Sequence, residues 1–229
     1  MSKLRIVEIF TSIQGEGMWV GIPSTFVRVS GCNLRCRWCD TPYASWEPEG
    51  PMMEIAEIVE AAQKAGVEHV VLTGGEPMLF EHVAELADKL HEDHVITIET
   101  AGTVHREIAC DLMSISPKLA GSAPDGDWHD RHERTRLNRE PLIQLSENYA
   151  CQFKFVVNPE GGLADIDEIK EILAEMPDVD SSQVMLMAEG TDAETLHRRE
   201  RLLVPICLEN NWRLTPRLHI DLFGDTRGT

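Results

Sequence analysis

The chain has 229 residues, of which 42% are hydrophobic, and this suffices for one globular domain with a sizeable core. Its 39 acidic and 21 basic side chains give a net charge of −18, which disfavours binding to the phosphate backbone of a nucleic acid. No apolar segment approaches the roughly 20 residues that a membrane helix needs, and the first residues lack a signal-peptide pattern. We therefore expect a cytoplasmic protein with neither a nucleic-acid nor a membrane partner.

Short apolar segments alternate with amphipathic helical patterns along the chain. The predicted strands, rich in Val, Ile, Thr and Phe, are residues 4–10, 25–30, 69–73, 95–99, 112–116, 152–157, 184–187 and 217–223. Apolar residues at helical spacing predict helices around residues 55–62, 83–90 and 166–173 (ending near Pro177), and a fourth over 191–210 that Pro205 kinks or splits.

This alternation of strands and helices predicts an α/β fold with helices outside a parallel sheet. Because there are few clear helices for eight strands, we expect a partial, open and trimmed TIM-like barrel of mainly parallel strands. The whole chain, residues 1–229, is expected to form a single domain.

One polar segment, residues 119–141, interrupts the pattern. It lacks strand alternation and contains many turn-forming residues. A connection of this length is uncommon in a compact domain. We therefore predict an irregular insertion that serves as a lid, an interface or a partly disordered segment.

The segment GCNLRCRWCDT, residues 31–41, contains Cys32, Cys36 and Cys39 in a C-x3-C-x2-C spacing. A structural zinc site has four protein ligands, and a self-contained electron-transfer cluster usually has four thiolates. A fourth ligand is missing from this cysteine segment, so it predicts an iron–sulfur cluster with one iron open to a small molecule. A zinc site completed by a distant histidine, such as His69 or His219, is the alternative.

Polar motifs follow several predicted strands at their C-terminal ends. The cysteine segment follows strand 25–30, and the other motifs are Gly74-Gly75-Glu76-Pro77, Glu99-Thr100-Ala101-Gly102-Thr103 and Ser116-Pro117-Lys118. In a parallel barrel this end of the strands carries the chemistry, so we expect the motifs to surround one mouth. Paired glycines let the backbone approach a ligand closely, and Glu76 offers an acceptor for an ammonium group.

The cysteine spacing, followed by the GGEP motif, resembles the radical S-adenosylmethionine (SAM) superfamily. The resemblance implies a 4Fe–4S cluster that is held by the three cysteines and binds SAM at its remaining iron. It also implies that Gly75 and Glu76 hold the amino end of SAM. Reductive cleavage of SAM would then give methionine and a 5′-deoxyadenosyl radical.

A narrower resemblance extends in order from residue 8 to about residue 157. The motifs SIQGEG, FVRVSGCNLRCRWCDT, ETAGT, SPK and QFKFVV together closely resemble the 7-carboxy-7-deazaguanine synthase family, radical SAM lyases of 7-deazapurine (queuosine precursor) biosynthesis. The resemblance implies conversion of 6-carboxy-5,6,7,8-tetrahydropterin to 7-carboxy-7-deazaguanine with loss of ammonia. The radical would abstract hydrogen from C6 of the substrate, and SAM would be regenerated.

The resemblance also implies a role for individual residues. Arg28 would pair with the substrate carboxylate, and Thr41 would ligate a Mg²⁺ that also holds the substrate. The remaining substrate contacts would be Ile13, Gln14, Gly15, Glu16 and Thr100. The SAM pocket would comprise Trp38, Cys39, Asp40, Gly75, Glu76, Gly102, Ser116, Lys118, Gln152, Phe153 and Lys154.

Family resemblance further implies a homodimer and a flavodoxin-like electron donor. The chain departs from the family at its end, where relatives commonly have a proline near the substrate and this sequence reads Arg227-Gly228-Thr229. One alternative is a glycyl-radical activase, which shares the cysteine triad but has no use for Arg28 or the QGEG turn. A zinc-binding interaction module is the non-enzymatic alternative.

Overall fold

A computed structural model describes residues 2–176 and 178–229 of the chain. Its strands are β1 (Lys3–Ile13), β2 (Pro23–Val29), β3 (Met52–Glu54), β4 (His69–Gly74), β5 (Val95–Thr100), β6 (Leu112–Ile115), β7 (Cys151–Val157), β8 (Val184–Ala188) and β9 (Arg213–Leu214). Its α-helices are α1 (Pro42–Ser45), α2 (Ile55–Lys64), α3 (His82–His91), α4 (His129–Arg136), α5 (Arg139–Asn148), α6 (Ala164–Ala174), α7 (Ala193–Asn210) and α8 (Leu218–Phe223).

Within the described ranges, nine strands form one sheet in the order β3-β1-β2-β4-β5-β6-β7-β8-β9. β1 pairs antiparallel with both β2 and β3. Every neighbouring pair from β2 to β9 is parallel. Because β3 and β9 are opposite edges of this sheet, the barrel is open. The predicted fold class, a trimmed and mainly parallel α/β barrel, is confirmed.

The helices cover the sheet with apolar faces that the sequence already indicated. α2 buries Ile55, Ile58 and Ala62 in the main core, together with the apolar face of α3. A capping box starts α2, because the Glu57 side chain accepts the backbone N–H of Glu54 at 2.8 Å. The strands from β4 to β8 are buried almost throughout, as expected when helices cover a parallel sheet.

The prediction of a strand over residues 217–223 is wrong, because this segment forms helix α8. The last strand is the short β9, which pairs with β8 and ends two residues before Pro216. Proline has no backbone N–H to donate to a strand ladder, so Pro216 ends the sheet. The alternating apolar residues of LHIDLF were misleading, since Ile220 is buried while Leu222 and Phe223 are exposed.

Two helix predictions concern proline. α7 runs without interruption from Ala193 to Asn210 and includes Pro205, so this proline does not split the helix. α6 ends at Ala174, and Pro177 lies outside the described residues. None of the helices in the described ranges is long and apolar enough to cross a membrane.

The segment 119–141 is less irregular than predicted. It contains α4 and the start of α5, preceded by two short 3-10 turns. The sequence gives no sign of α4 because its residues are polar and only His132 is buried. Whether the segment acts as a lid or an interface stays a prediction.

Candidate active site

A cavity of about 600 Å³ lies against the sheet, and every strand-end motif contributes to its lining. Five of the lining side chains come from consecutive positions across the sheet: Arg28 on β2, Thr73 on β4, Glu99 on β5, Ser114 on β6 and Lys154 on β7. The parallel register sets Arg28 beside Thr73 and Glu99 beside Ser114. These polar residues interrupt otherwise apolar strands, and they line the cavity together.

Most of the predicted site residues line this cavity. They are Ile13, Gln14, Gly15, Glu16, Arg28, Cys32, Cys36, Trp38, Cys39, Asp40, Thr41, Gly75, Thr100, Ser116, Lys118 and Lys154. The structure therefore brings together residues that are far apart in the sequence. Their individual roles in binding stay predictions.

The three cysteines of the cysteine segment are free thiols that all face the cavity. Burial raises the pKa of the Cys32 thiol to about 12 and that of Cys36 to about 11. The backbone N–H of Leu34 lies 3.3 Å from Cys32 Sγ and donates to it. Thiols in such surroundings stay protonated unless a metal replaces the proton.

The zinc alternative has no ready fourth ligand at His69. Both nitrogens of this buried ring lie close to hydroxyl groups, Nδ1 at 2.6 Å from Ser24 Oγ and Nε2 at 2.8 Å from Thr97 Oγ1. His69 also begins β4, whereas the cavity motif Gly74-Gly75 lies at the other end of that strand. Among the described residues, no group of three His, Cys, Asp or Glu side chains forms a preassembled metal cage.

Gly75 packs directly against the cysteine segment. A Cβ atom at this position would lie 2.2 Å from the carbonyl oxygen of Gly31 and 2.7 Å from that of Ala44. The next residue, Glu76, donates its backbone N–H to the same Gly31 oxygen at 2.9 Å. Only glycine allows this approach, which fixes the end of β4 against the cysteine segment.

The side chain of Glu76 is placed differently from the prediction. It is fully buried and does not line the cavity. Its carboxylate accepts the backbone N–H groups of Met78 and Ala101 at 3.0 and 2.7 Å and the hydroxyl of Thr100 at 2.8 Å. This geometry corrects the interpretation that the carboxylate receives a ligand ammonium group, because it joins the ends of β4 and β5 instead. Burial raises the pKa of Glu76, against the opposing effect of these donors.

Three more predicted residues do not line the cavity. Gly102 has a φ of +72°, and a Cβ there would lie 2.3 Å from a methyl group of Leu142, so its glycine is required by packing. Phe153 is fully buried in the main core. Gln152 accepts the backbone N–H of Met18 at 2.7 Å and donates to Ser114 Oγ at 2.7 Å. The Gln152 side chain therefore supports the turn that follows β1. The prediction that it contacts SAM directly is corrected to this supporting role.

A charged network crosses the cavity. Glu16 pairs with Lys154 and with Arg217, whose Nε lies 3.1 Å from Glu16 Oε1. The Arg217 guanidinium also pairs with Asp40 and donates to the carbonyl of Gly190 at 2.7 Å. Burial disfavours the charged form of Glu16, but Lys154 and Arg217 outweigh it and hold the pKa of Glu16 well below its usual range. The network therefore stays ionised at neutral pH.

Lys154 lies between two carboxylates of this network. Its Nζ pairs with Glu16 and lies 3.8 Å from Glu99 Oε1. Burial alone lowers the pKa of Lys154, yet the two carboxylates reverse this and the net shift is upward. Glu99 is held in turn by Thr73, which donates at 3.1 Å, and by Gln14, which donates at 3.3 Å.

A second set of charges surrounds Arg28. Its Nε donates to Glu8 Oε1 at 2.7 Å, and the hydroxyl of Tyr43 donates to the same oxygen at 3.3 Å. Arg227, near the end of the chain, lies 3.2 Å from the other Glu8 oxygen, and its guanidinium carbon is 4.1 Å from the centre of the Tyr43 ring. Arg227 also pairs with Glu49 at 2.6 Å, so two carboxylates balance the two guanidinium groups on this side of the cavity.

Known proteins resemble the chain along its whole length. Residues 26–136 match the family model of the radical SAM superfamily. A protein of Rhodopirellula baltica named 7-carboxy-7-deazaguanine synthase is 44% identical over 237 aligned positions, which cover 100% of this chain and 90% of that protein. The chain belongs to the 7-carboxy-7-deazaguanine synthase family. A family member of the same name from Halobacterium salinarum is 41% identical, and the alignment covers 99% and 93% of the two chains.

Solved structures agree with this family assignment. The crystal structure of QueE from Escherichia coli superposes with a TM-score of 0.70 at 25% identity and covers 95% of both chains. Streptococcus suis SuiB bound to its precursor peptide SuiA shares the fold alone, with a TM-score of 0.54 at 15% identity. Membership of the 7-carboxy-7-deazaguanine synthase family makes this chain a radical SAM enzyme of the lyase type. The superfamily implies a 4Fe–4S cluster and SAM.

The donor set fits a three-cysteine cluster of this family. Cys32, Cys36 and Cys39 are free, line one cavity and pack with Leu34 and Ala101 in a small apolar group. Thiolate ligands of iron–sulfur clusters commonly accept hydrogen bonds, and the backbone N–H of Leu34 donates to Cys32 Sγ. The hydroxyl of Ser45 lies 3.1 Å from Cys39 Sγ and donates to the carbonyl of Thr41 at 3.3 Å.

Several cavity residues had no predicted site role. They are Tyr43, Thr73, Glu99, Arg217 and the terminal residues Asp225–Thr229. Glu99 begins the ETAGT motif, which was expected at the mouth of the cavity without a role for this side chain. Arg217 was hidden by the incorrect strand prediction over 217–223. The terminal residues line the cavity although they lack the proline that is common in the family.

Proposed function

We propose that this enzyme converts 6-carboxy-5,6,7,8-tetrahydropterin to 7-carboxy-7-deazaguanine with loss of ammonia, in 7-deazapurine (queuosine precursor) biosynthesis. One observation carries the proposal: a single cavity is lined by three free cysteines and by Arg28, whose guanidinium has hydrogen-bonding capacity to spare. The first feature suits a cluster with an open iron, and the second suits a substrate carboxylate.

Arg28 is the group that we assign to the substrate carboxylate. Glu8 occupies only its Nε, and among the described residues neither Nη group of Arg28 has a hydrogen-bond partner. Two parallel N–H groups match the two oxygens of a carboxylate. Glu8 and Phe10 fix the guanidinium, the ring centre of Phe10 being 5.9 Å from its central carbon.

The turn from Gln14 to Glu16 is assigned to the polar edge of the pterin. Its backbone is fixed from two sides, since Gly15 accepts the backbone N–H of Leu218 at 2.9 Å and Gly17 donates to Thr215 Oγ1 at 2.7 Å. A fixed turn can present amide and carbonyl groups to a flat heterocycle without an ordering cost on binding. Ile13 and Thr100 complete this substrate side.

Thr41 is assigned as the protein ligand of a Mg²⁺ ion that also binds the substrate. Its hydroxyl lines the cavity directly after Cys39 and Asp40. A neutral hydroxyl is a suitable hard ligand for Mg²⁺ if water and substrate supply the other oxygens. The Thr41 side chain makes no capping hydrogen bond to α1, and its hydroxyl has only a long contact of 3.9 Å to Cys39 Sγ, so it is available for this role.

The SAM pocket is assigned to residues between the cysteine segment and β7. These are Trp38, Cys39, Asp40, Ser116, Lys118 and Lys154, with the backbone of Gly75. Lys118 is oriented by Ser116, because its Nζ donates to the carbonyl and the hydroxyl of that residue at 2.7 and 2.9 Å. When bound, the reduced cluster and SAM supply the radical that removes hydrogen from the substrate. The task of the polypeptide is to position the substrate and to exclude water.

We also propose that the enzyme is a homodimer reduced by a flavodoxin-like protein in the cytoplasm. Exposed apolar side chains on α7, at Leu202, Val204 and Leu208, offer surface for a second copy. The exposed Arg37 of the cysteine segment offers a cation to an acidic electron donor. The six free cysteines suit a reducing compartment.

Anaerobic turnover tests the substrate. The reconstituted protein is incubated with the carboxytetrahydropterin, SAM, Mg²⁺ and dithionite, and the products are identified by mass spectrometry. We expect 7-carboxy-7-deazaguanine and ammonia in equal amounts, with SAM regenerated. Consumption of SAM to 5′-deoxyadenosine without any deazapurine would overturn the proposed substrate. Cys36→Ser is the matched control, since it should abolish both the cluster and turnover.

A further inference from the structure

Segment 119–136 accepts two hydrogen bonds from backbone N–H groups of the cysteine segment. The N–H of Arg35 donates to Nδ1 of His132 at 3.1 Å, and the N–H of Arg37 donates to the carbonyl of Ser122 at 2.9 Å. These two amides flank Cys36 in the sequence. Segment 119–136 therefore supplies the acceptors for the backbone on both sides of the central cysteine.

His132 is held in one orientation. It is 1% exposed, and its Nε2 lies 2.9 Å from the hydroxyl of Ser122. That hydroxyl donates its own proton to the carbonyl of Leu119 at 2.6 Å, so Nε2 is the donor to Ser122 and carries the hydrogen. Nδ1 is then the unprotonated acceptor that the N–H of Arg35 requires. The hydrogen-bond chain is complete from Leu119 to the cysteine segment.

Two guanidinium groups lie against the ring of Trp128 beside this contact. The guanidinium of Arg35 lies 4.5 Å from the ring centre of Trp128, and that of Arg131 lies 4.9 Å from it. Arg35 also donates from Nη1 to the carbonyls of Cys32 and Leu34 at 2.9 and 2.7 Å. Arg35 therefore closes the cysteine segment on itself and attaches it to Trp128.

We infer that segment 119–136 is a clamp that holds the cysteine segment in the shape that receives the cluster, and that His132 is its central positioning residue. The cysteine segment contains no helix or strand before α1, so its shape depends on contacts from elsewhere. His132 is also the only buried residue of α4, and both of its ring nitrogens form hydrogen bonds in this contact. The inference depends on the cluster site and not on the identity of the substrate.

Substitution of His132 tests the clamp in the cluster-free protein. In His132→Leu the Arg35 amide loses its acceptor, and we expect its hydrogen exchange to accelerate about tenfold, the effect of one net hydrogen bond. After reconstitution, the same variant should bind less iron and lose its cluster to oxygen faster than the wild type. His132→Asn places an oxygen close to the position of Nδ1, so it should restore slow exchange and cluster retention.

His69→Leu is the matched control. His69 is as buried as His132 and also has hydroxyl groups beside both of its ring nitrogens, but it lies at the start of β4. It should lower the free energy of unfolding while leaving the exchange of the Arg35 amide and the lifetime of the cluster unchanged. Wild-type exchange and cluster lifetime in His132→Leu, or equal losses in His69→Leu, would overturn the inference.

Trp128→Leu provides a second variant if His132→Leu does not fold. This side chain is only partly buried, so its replacement preserves the core. We expect faster loss of the cluster to oxygen and faster exchange of the Arg35 amide, with unchanged exchange in the strands of the sheet. Retention of the wild-type cluster lifetime would contradict the clamp. Because every readout concerns the cluster or the empty protein, the result is independent of the turnover assay.

Discussion

Glu16 accepts a hydrogen bond at 3.1 Å from Arg217, a residue 201 positions further along the chain. The same guanidinium pairs with Asp40, which directly follows the last cysteine of the cluster site. Arg217 thus joins the turn assigned to the substrate with the segment assigned to the cluster and Mg²⁺. A single side chain therefore links the two halves of the site.

Replacement of Arg217 should therefore damage both stability and substrate binding. In Arg217→Met, Asp40 loses its partner and Glu16 retains only Lys154 and the more distant His219. Breaking a buried ion pair costs about 3 kcal/mol, so the unfolding free energy should fall by this amount. Urea denaturation measures the change. KM for the substrate should rise with little loss of bound iron.

The control for this variant is Arg198→Met. Arg198 forms an equally short ion pair, 2.7 Å from Glu160, but half of its side chain is exposed. Exposed pairs contribute less than about 1 kcal/mol, so this change should be nearly neutral. Equal effects of the two substitutions would show that burial of the Arg217 network has no special role.

Arg28→Lys tests recognition of the substrate carboxylate. Lysine keeps the charge but cannot offer two parallel N–H groups, so one charge-assisted hydrogen bond is lost. We expect the substrate Kd to rise about tenfold or more, consistent with roughly 1.5–3 kcal/mol for such a bond. Tetrahydropterin without the carboxylate should bind the variant and the wild type equally. A similar weakening for both pterins would remove Arg28 from the carboxylate site.

Gly75→Ala tests the contact between β4 and the cysteine segment. The added Cβ would lie 2.2 Å from a backbone oxygen of Gly31, so the cysteine segment must move away. Overpacking of this kind costs about 1–3 kcal/mol, and bound iron should fall after reconstitution. Gly161→Ala is the control, because no atom lies within 4 Å of the added Cβ. Full iron binding in Gly75→Ala would contradict the contact.

The family resemblance and the motifs at strand ends together predict much of the cavity. The resemblance selects Lys154 within CQFKFVV and Arg28 within TFVRVS, and both line the cavity. The reason is geometric, since alternate residues of a strand share a face and parallel strands end at one edge. The open α/β architecture follows from the same alternation of strands and helices.

Long-range partners could not be predicted. The carboxylate of Glu76 is turned away from the cavity by donors from β5, which the local motif does not reveal. α4 forms around one buried histidine that contacts the cysteine segment, so it has no apolar pattern of its own. Arg217 reaches the site from the turn between β9 and α8, where it meets Glu16 and Asp40. Each of these positions is decided by residues far away in the sequence.

Thr41→Ala tests the proposed Mg²⁺ site. The hydroxyl makes no capping bond to α1, so its removal should not unfold the helix. We expect the Mg²⁺ concentration for half-maximal turnover to rise about tenfold, because one hard oxygen ligand is lost. Bound iron should stay unchanged. Thr191→Ala, at another threonine of the cavity, should retain the wild-type Mg²⁺ response, and an unaltered response in Thr41→Ala would exclude this ligand.

His69 should make the stability of the fold depend on pH. Burial disfavours its charged form and lowers its pKa to about 4, compared with 6.5 when the ring is exposed. Between these values the unfolded chain binds a proton that the folded protein does not. The stabilising contribution is therefore fully present above pH 6.5 and is lost as the pH falls towards 4.

Urea denaturation of the wild type and His69→Asn measures this contribution. Between pH 7 and pH 5 the wild type should lose about 2 kcal/mol more unfolding free energy than the variant, since other titrating groups cancel in the comparison. Between pH 7 and pH 8 the two proteins should change equally, because His69 is then neutral in both the folded and unfolded states. Parallel curves over the whole range would mean that the folded protein accepts the proton on His69. In that case the hydroxyl groups of Ser24 and Thr97 would have turned to accommodate a charged ring.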